Sequence, residues 1–129
     1  MIELSELINI ARKAAKNAYC PYSNFHVGAA VLANGKIYTG CNIENASYGL
    51  TICAERVAIF KAMADGKRNI NAIAISCIDS KESDRAELKM PCGACRQVIS
   101  EFADENTVIL VDGVGQFKIT DILPKAFKL

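Results

Sequence analysis

The stretch FHVGAAVLANGKIYTGCNI, Phe25–Ile43, decides the fold. Two apolar runs flank Asn34-Gly35, a dipeptide suited to the positive φ angles of a two-residue turn, so the stretch reads as a β-hairpin. Upstream, Leu7, Ile8, Ala11, Ala14 and Ala15 fall on one helical stripe, with Ser5 as the cap and CPYS (20–23) ending the helix near Ala18. Downstream, a second helix is expected from Cys53 to Asp65 with Gly66 as its stop. INAIAIS (70–76) reads as a buried strand. A third helix is expected from Pro91 through about Ala103, because proline's missing N–H is harmless in a first turn. TVILV (107–111) and GVGQFKI (113–119) complete the strands, and LPKAFKL (123–129) reads as a C-terminal tail. Strands that alternate with helices imply a mixed sheet with helices packed on its faces, here an α/β, three-layer α-β-α domain with about five strands. At 129 residues the chain is expected to be one domain, 1–129, with a single core.

Fifteen Lys and Arg against fourteen Asp and Glu leave a net charge of +1, too little positive surface for a nucleic-acid or anionic-membrane partner. Apolar runs such as VGAAVLA are far shorter than the ~20 residues of a membrane span. A cytoplasmic protein acting on a small, weakly charged molecule is the expectation. Six cysteines with no export signal are read as reduced thiols or metal ligands. Cys20, Cys41 and Cys77 sit singly among apolar or turn residues, as small buried hydrophobes do.

The remaining three thiols carry the chemistry. Cys92 and Cys95, in MPCGACRQ, are three positions apart and project to one side of a helix start. Cys53, in TICAER (51–56), precedes Glu55 by two positions, about 200° around a regular helix, so the two converge only if Cys53 lies in the very first turn. Helix starts carry unpaired N–H groups and partial positive charge, which favour thiolate. Three protein ligands are one short of a closed structural zinc site and match a catalytic one. A redox pair is the other reading of C-x-x-C, and it has no use for Glu55. The only histidine, His26, reads as a strand-edge residue rather than a ligand. Three thiolates on Zn²⁺ give a formal charge of −1, which Arg56 and Arg96 could offset by donating to sulfur; for each, an exposed helix charge is the alternative. Glu55 is the natural proton carrier between water and a ring nitrogen or leaving amine.

Three segments, PYSNFHVGAA (21–30), GCNIENASYGLTICAER (40–56) and PCGACRQV (91–98), resemble the small homotetrameric cytidine deaminases in their three-cysteine form, and the likeness spans nearly the whole chain. It implies one zinc per subunit on Cys53, Cys92 and Cys95, with Glu55 shuttling protons as cytidine or 2′-deoxycytidine loses ammonia. It also implies that Asn42 and Glu44 bond the ribose hydroxyl, the Ala54 backbone holds the base and Phe25 packs against the ring. Tyr48 and Phe127 match positions that complete a neighbouring subunit's site in a homotetramer. Read from the sequence alone, Asn42 and Glu44 fit a solvated turn equally well, Phe25 a core position, Tyr48 a loop and Phe127 a C-terminal anchor. The chain departs from the commonest family pattern at His26, Val57 and Met90 and in the lengthened 79–89 loop. A blasticidin-type aminonucleoside deaminase shares the zinc machinery but lacks the NIEN pattern found here at 42–45. A non-catalytic zinc module would need a fourth ligand.

Overall fold

The structure, a computed structural model, describes residues 2–129. Its elements are α1 (Leu4–Ala15), β1 (Val27–Ala33), β2 (Lys36–Cys41), α2 (Ala54–Ala64), β3 (Ala72–Cys77), α3 (Gly93–Phe102), β4 (Val108–Val111), β5 (Gly115–Phe117) and the single turn α4 (Ile119–Ile122). The strands make one sheet in the order β2-β1-β3-β4-β5. It is mixed: β1 runs antiparallel to β2 and β3, β3 parallel to β4, and β4 antiparallel to β5. Asn34 and Gly35 have φ of 50° and 82°. Both are left-handed, as a two-residue hairpin turn demands, and the pairing of Ala33 with Lys36 follows.

Alternation along the strands sorts side chains to two faces. Ala30, Ala72, Ala74 and Leu110 meet Leu7 and Ala11 of α1. Ala29, Val31, Ile73, Ile75, Ile109 and Val111 meet Ala58, Ile59 and Ala62 of α2, Ile99 of α3 and Ile122 of α4. The expected three layers and five strands are therefore present. A fully buried Ile or Val contributes about 1.5–3 kcal/mol, so the face under α2 and α3 supplies most of the stability. The alanine-lined face instead lets α1 lie close.

Gly40 sets the position of α2. A Cβ at that position would lie 2.5 Å from the Ala54 carbonyl oxygen and 2.5 Å from the Ala58 nitrogen, both backbone atoms. The first turn of α2 therefore rests directly on β2. Gly40→Ala must push that turn away, and the expected cost is about 1–3 kcal/mol, read as a lower midpoint in urea unfolding. An unchanged midpoint would mean that α2 is free to shift.

Several boundaries differ from the sequence expectation. Helix α1 begins at Leu4 with Glu3 as its cap: the Glu3 N–H donates to Glu6 Oε2 at 3.4 Å, and the Glu6 N–H donates to the Glu3 carbonyl at 3.0 Å, ahead of Ser5. It ends at Ala15 rather than Ala18. Strand β2 stops at Cys41: Asn42 N–H still donates to Val27, but Ile43 turns to pair with Ile52. Helix α3 starts at Gly93 with Cys92 as its cap, leaving Pro91 just outside. The tail is preceded by α4, whose Lys118 N–H donates to Asp121. Among the described residues no helix is long and apolar enough to cross a membrane.

Candidate active site

Cys53 and Cys92 are the N-caps of α2 and α3, and neither side chain caps its own helix, so both sulfurs are free for other work. Cys95 stands three positions into α3 and is fully buried. The three sulfurs lie within 4.8 Å of one another, with Cys53 and Cys92 Sγ at 3.9 Å. Cys53 thus occupies the helix start that convergence with Glu55 required. Its thiol is held below the usual range, first by the neighbouring Cys95 thiol and then by Arg56. Cys95, facing Cys53 and enclosed, is raised. Arg56 Nη2 donates to Cys53 Sγ at 3.4 Å.

Glu55 is only 4% exposed. Burial pushes its carboxyl up to about 7, with the neighbouring Cys53 adding to the rise. It lines a cavity of about 150 Å³ with Phe25, Asn42, Ala54, Cys53 and Cys92. That is less than the ~300 Å³ at which pockets for whole ligands begin, and it suits a flat ring. A second groove of about 340 Å³ is lined by Tyr22, Ser23, Glu44, Tyr48 and Thr51. Thr51 lines both, so the two adjoin.

Asn42 and Glu44 occupy different compartments, and each also braces the chain. Asn42 Oδ1 accepts from Val27 N–H at 2.9 Å and its Nδ2 donates to the Phe25 carbonyl at 2.8 Å, which fixes Phe25 on the cavity wall. Glu44 accepts from the N–H groups of Tyr22 and Ser23 at 3.1 and 3.2 Å and from Ser23 Oγ at 2.5 Å. These bonds, the Ser23 hydroxyl's first, hold its carboxyl below the usual range. Tyr48 lies in the groove and packs edge-on against Tyr22. Phe127 lines neither compartment.

Arg96 faces away, with Nε on the Pro91 carbonyl and Nη1 on that of Ile122, so it ties α3 to α4. His26 Nδ1 sits 2.7 Å from Asp79, outside the sulfur cluster. Cys77 lines the cavity but is pushed up to about 12 by burial, as an inert thiol would be. Sequence reasoning missed Thr51, Leu88 and Lys89 as lining residues. Thr51 opens TICAER itself, and only nearness to MPCGAC could have signalled Leu88 and Lys89. Met90, flagged as a departure from the family pattern, does line the wall.

Residues 1–111 match the family model described as the cytidine and deoxycytidylate deaminase zinc-binding region. The chain belongs to this deaminase family. A cytidine deaminase of Sporosarcina psychrophila is 44% identical over 131 aligned positions, covering 98% of this chain and 92% of its own length. The crystal structure of cytidine deaminase from Burkholderia pseudomallei superposes with a TM-score of 0.86 at 43% identity, covering 98% of this chain and all of that one. A blasticidin-S deaminase of Bacillus cereus is more distant, 33% identical over 81% of this chain and 76% of its own length.

In this family member the donor set fits zinc. Thiolate sulfurs suit the ion, and among the described residues no other Cys, His, Asp or Glu joins the cluster, so a fourth position is left for a non-protein ligand. Arg56 Nε supplies independent support: it is buried with no partner, a donor held beside sulfurs that become negative when they lose their protons. The three cysteines form a cluster that could hold one metal ion, in a family whose model is a zinc-binding region.

Proposed function

We propose that this protein is a zinc-dependent cytidine deaminase, one domain over 1–129, that hydrolyses cytidine and 2′-deoxycytidine to uridine and 2′-deoxyuridine in pyrimidine salvage. The observation that carries the reading is a buried carboxyl, Glu55, in a ring-sized cavity beside three thiols with no fourth protein donor. In the reaction water supplies an oxygen to C4, the bond from C4 to the exocyclic nitrogen breaks, and that nitrogen leaves as ammonia. A zinc ion held by Cys53, Cys92 and Cys95 supplies the Lewis acidity that makes water a nucleophile at neutral pH. Glu55, poised near 7, takes a proton and returns it to the ring nitrogen or the departing amine. The Ala54 N–H, in the unpaired first turn of α2, holds the base carbonyl. Phe25 packs on the ring, Asn42 and Glu44 receive the ribose across the two adjoining compartments, and Arg56 offsets thiolate charge at Cys53.

The ribose groove is open to solvent on one side, and a nucleoside site must exclude water. Tyr48 is 74% exposed and Phe127 70% exposed. A cytoplasmic homotetramer, in which these aromatics close neighbouring sites, supplies the missing walls. Mixing Phe127→Ala subunits with Glu55→Gln subunits, once exchange is demonstrated, is expected to recover activity above the sum of the parents. Exchange without recovery means that Phe127 acts on its own chain or not at all.

The test of the activity is ammonia release from cytidine and from blasticidin S by protein of measured zinc content. Release from cytidine is expected. Release from blasticidin S alone makes this an aminonucleoside deaminase, and zinc without release from either makes it a non-catalytic module.

A further inference from the structure

Beyond the C-terminal ends of β3 and β4 a separate cavity of about 370 Å³ opens between Arg12 of α1, Ser76, Asp112 and the 79–89 loop. Lys89 enters it. This side chain is only 5% exposed and lines both this cavity and the ring-sized one. Its Nζ lies 3.5 Å from where a Cβ on Gly113 would stand, which brings the ammonium to the end of β4. Among the described residues Nζ makes no hydrogen bond and no ion pair. The proposed deamination assigns it no role.

The charges around Lys89 do not answer it directly. Asp112 accepts from Arg12 Nε and Nη2 at 2.7 Å each and from Ser76 Oγ at 2.7 Å. A carboxylate offers about four acceptor positions, so one is left. Lys81 and Glu82, both exposed at the mouth, offset each other. What remains is an ammonium with no protein partner, carried by an enclosed side chain and presenting its N–H donors to the open space of the cavity.

We propose that this cavity binds a small protonated oxyanion of the monohydrogen phosphate class, anchored by Lys89. Its oxygens take the ammonium's N–H donors, and its hydroxyl donates to the free position on Asp112. Sulfate carries no proton at neutral pH, so it can satisfy Lys89 but faces Asp112 as one anion facing another. Phosphate is therefore preferred. Leu88 and Met90, on either side of Lys89, line the ring-sized cavity. Occupancy thus steadies that wall, a consequence that rests on the deaminase reading, whereas binding itself does not.

Calorimetric titration of the zinc-loaded protein with inorganic phosphate at fixed ionic strength tests the site. Saturable binding of one phosphate per chain is expected, with sulfate weaker by about tenfold or more. Lys89→Met is expected to weaken phosphate by about tenfold or more, the loss of a charge-assisted contact. Should that variant fold poorly, amide exchange on the unaltered protein serves instead: phosphate slows exchange in residues 79–89 and sulfate does so less. No saturable binding overturns the proposal. Equal binding of phosphate and sulfate that Lys89→Met leaves unchanged also overturns it, since that describes an adventitious ion only.

Discussion

Replacing Glu55 with glutamine is expected to leave zinc content and melting temperature near those of the parent while cytidine turnover falls by about 10²–10⁴-fold or more. The amide keeps the volume and planarity of a side chain that is almost fully enclosed. It also removes the need to bury an ionised group, so the fold has no reason to weaken. Only the capacity to take up and return a proton near neutral pH is lost. Glu55 differs in this from Asn42, whose amide bonds to Phe25 and Val27 hold the cavity wall, so that its loss would combine positioning with chemistry. Purified Glu55→Gln with full zinc and parental ammonia release would remove Glu55 from the reaction and, with it, the proposed mechanism.

The parts of this protein legible in its sequence are those fixed by neighbours in the chain. Asn34-Gly35 specifies its own turn, and the two periodicities specify helices and strands. Cys92 and Cys95 declare a shared ion because one turn of helix joins them. Cys53 could be added only as a condition, that it open its helix, and as the N-cap of α2 it meets that condition. What was not legible depends on distant partners. Gly40 looks like an interior strand glycine, and only the resting of α2 on its backbone explains it. Glu44 reads as a ligand residue or a turn residue until its bonds to Tyr22 and Ser23, some twenty positions away, are seen. Ser5 is the better cap by residue type, yet the helix opens ahead of it, where the Glu3 carbonyl accepts from the N–H groups of Glu6 and Leu7 and the Glu3 N–H donates to the Glu6 side chain. Lys89 looked like one charge of a polar loop. Its burial depends on how that loop folds against β4, which no local pattern states.

Cys95→Ala is expected to abolish both bound zinc and turnover, and Cys77→Ala is its control. Cys77 lines the cavity, and the buried Cys95 stands behind the cavity-lining Cys53 and Cys92, so truncating either leaves a small void in the same region. Only Cys95 belongs to the sulfur cluster. If the cluster is merely a packed group of thiols, the two variants lose similar stability and neither changes metal content. If it holds zinc, Cys77→Ala keeps the metal, while Cys95→Ala leaves two sulfurs that cannot retain it through gel filtration. Binding to the folded state alone adds about 4 kcal/mol at a thousandfold excess over Kd, of the order of 10 °C in melting temperature for a chain of this size. A chelator should therefore lower the melting temperature of the parent and of Cys77→Ala by that order and leave Cys95→Ala where it is. The variant's insensitivity carries the inference, since a lower melting temperature alone could come from the void. Full zinc in Cys95→Ala, or a chelator shift as large as the parent's, would mean that the ion sits elsewhere and that the three sulfurs meet for packing alone.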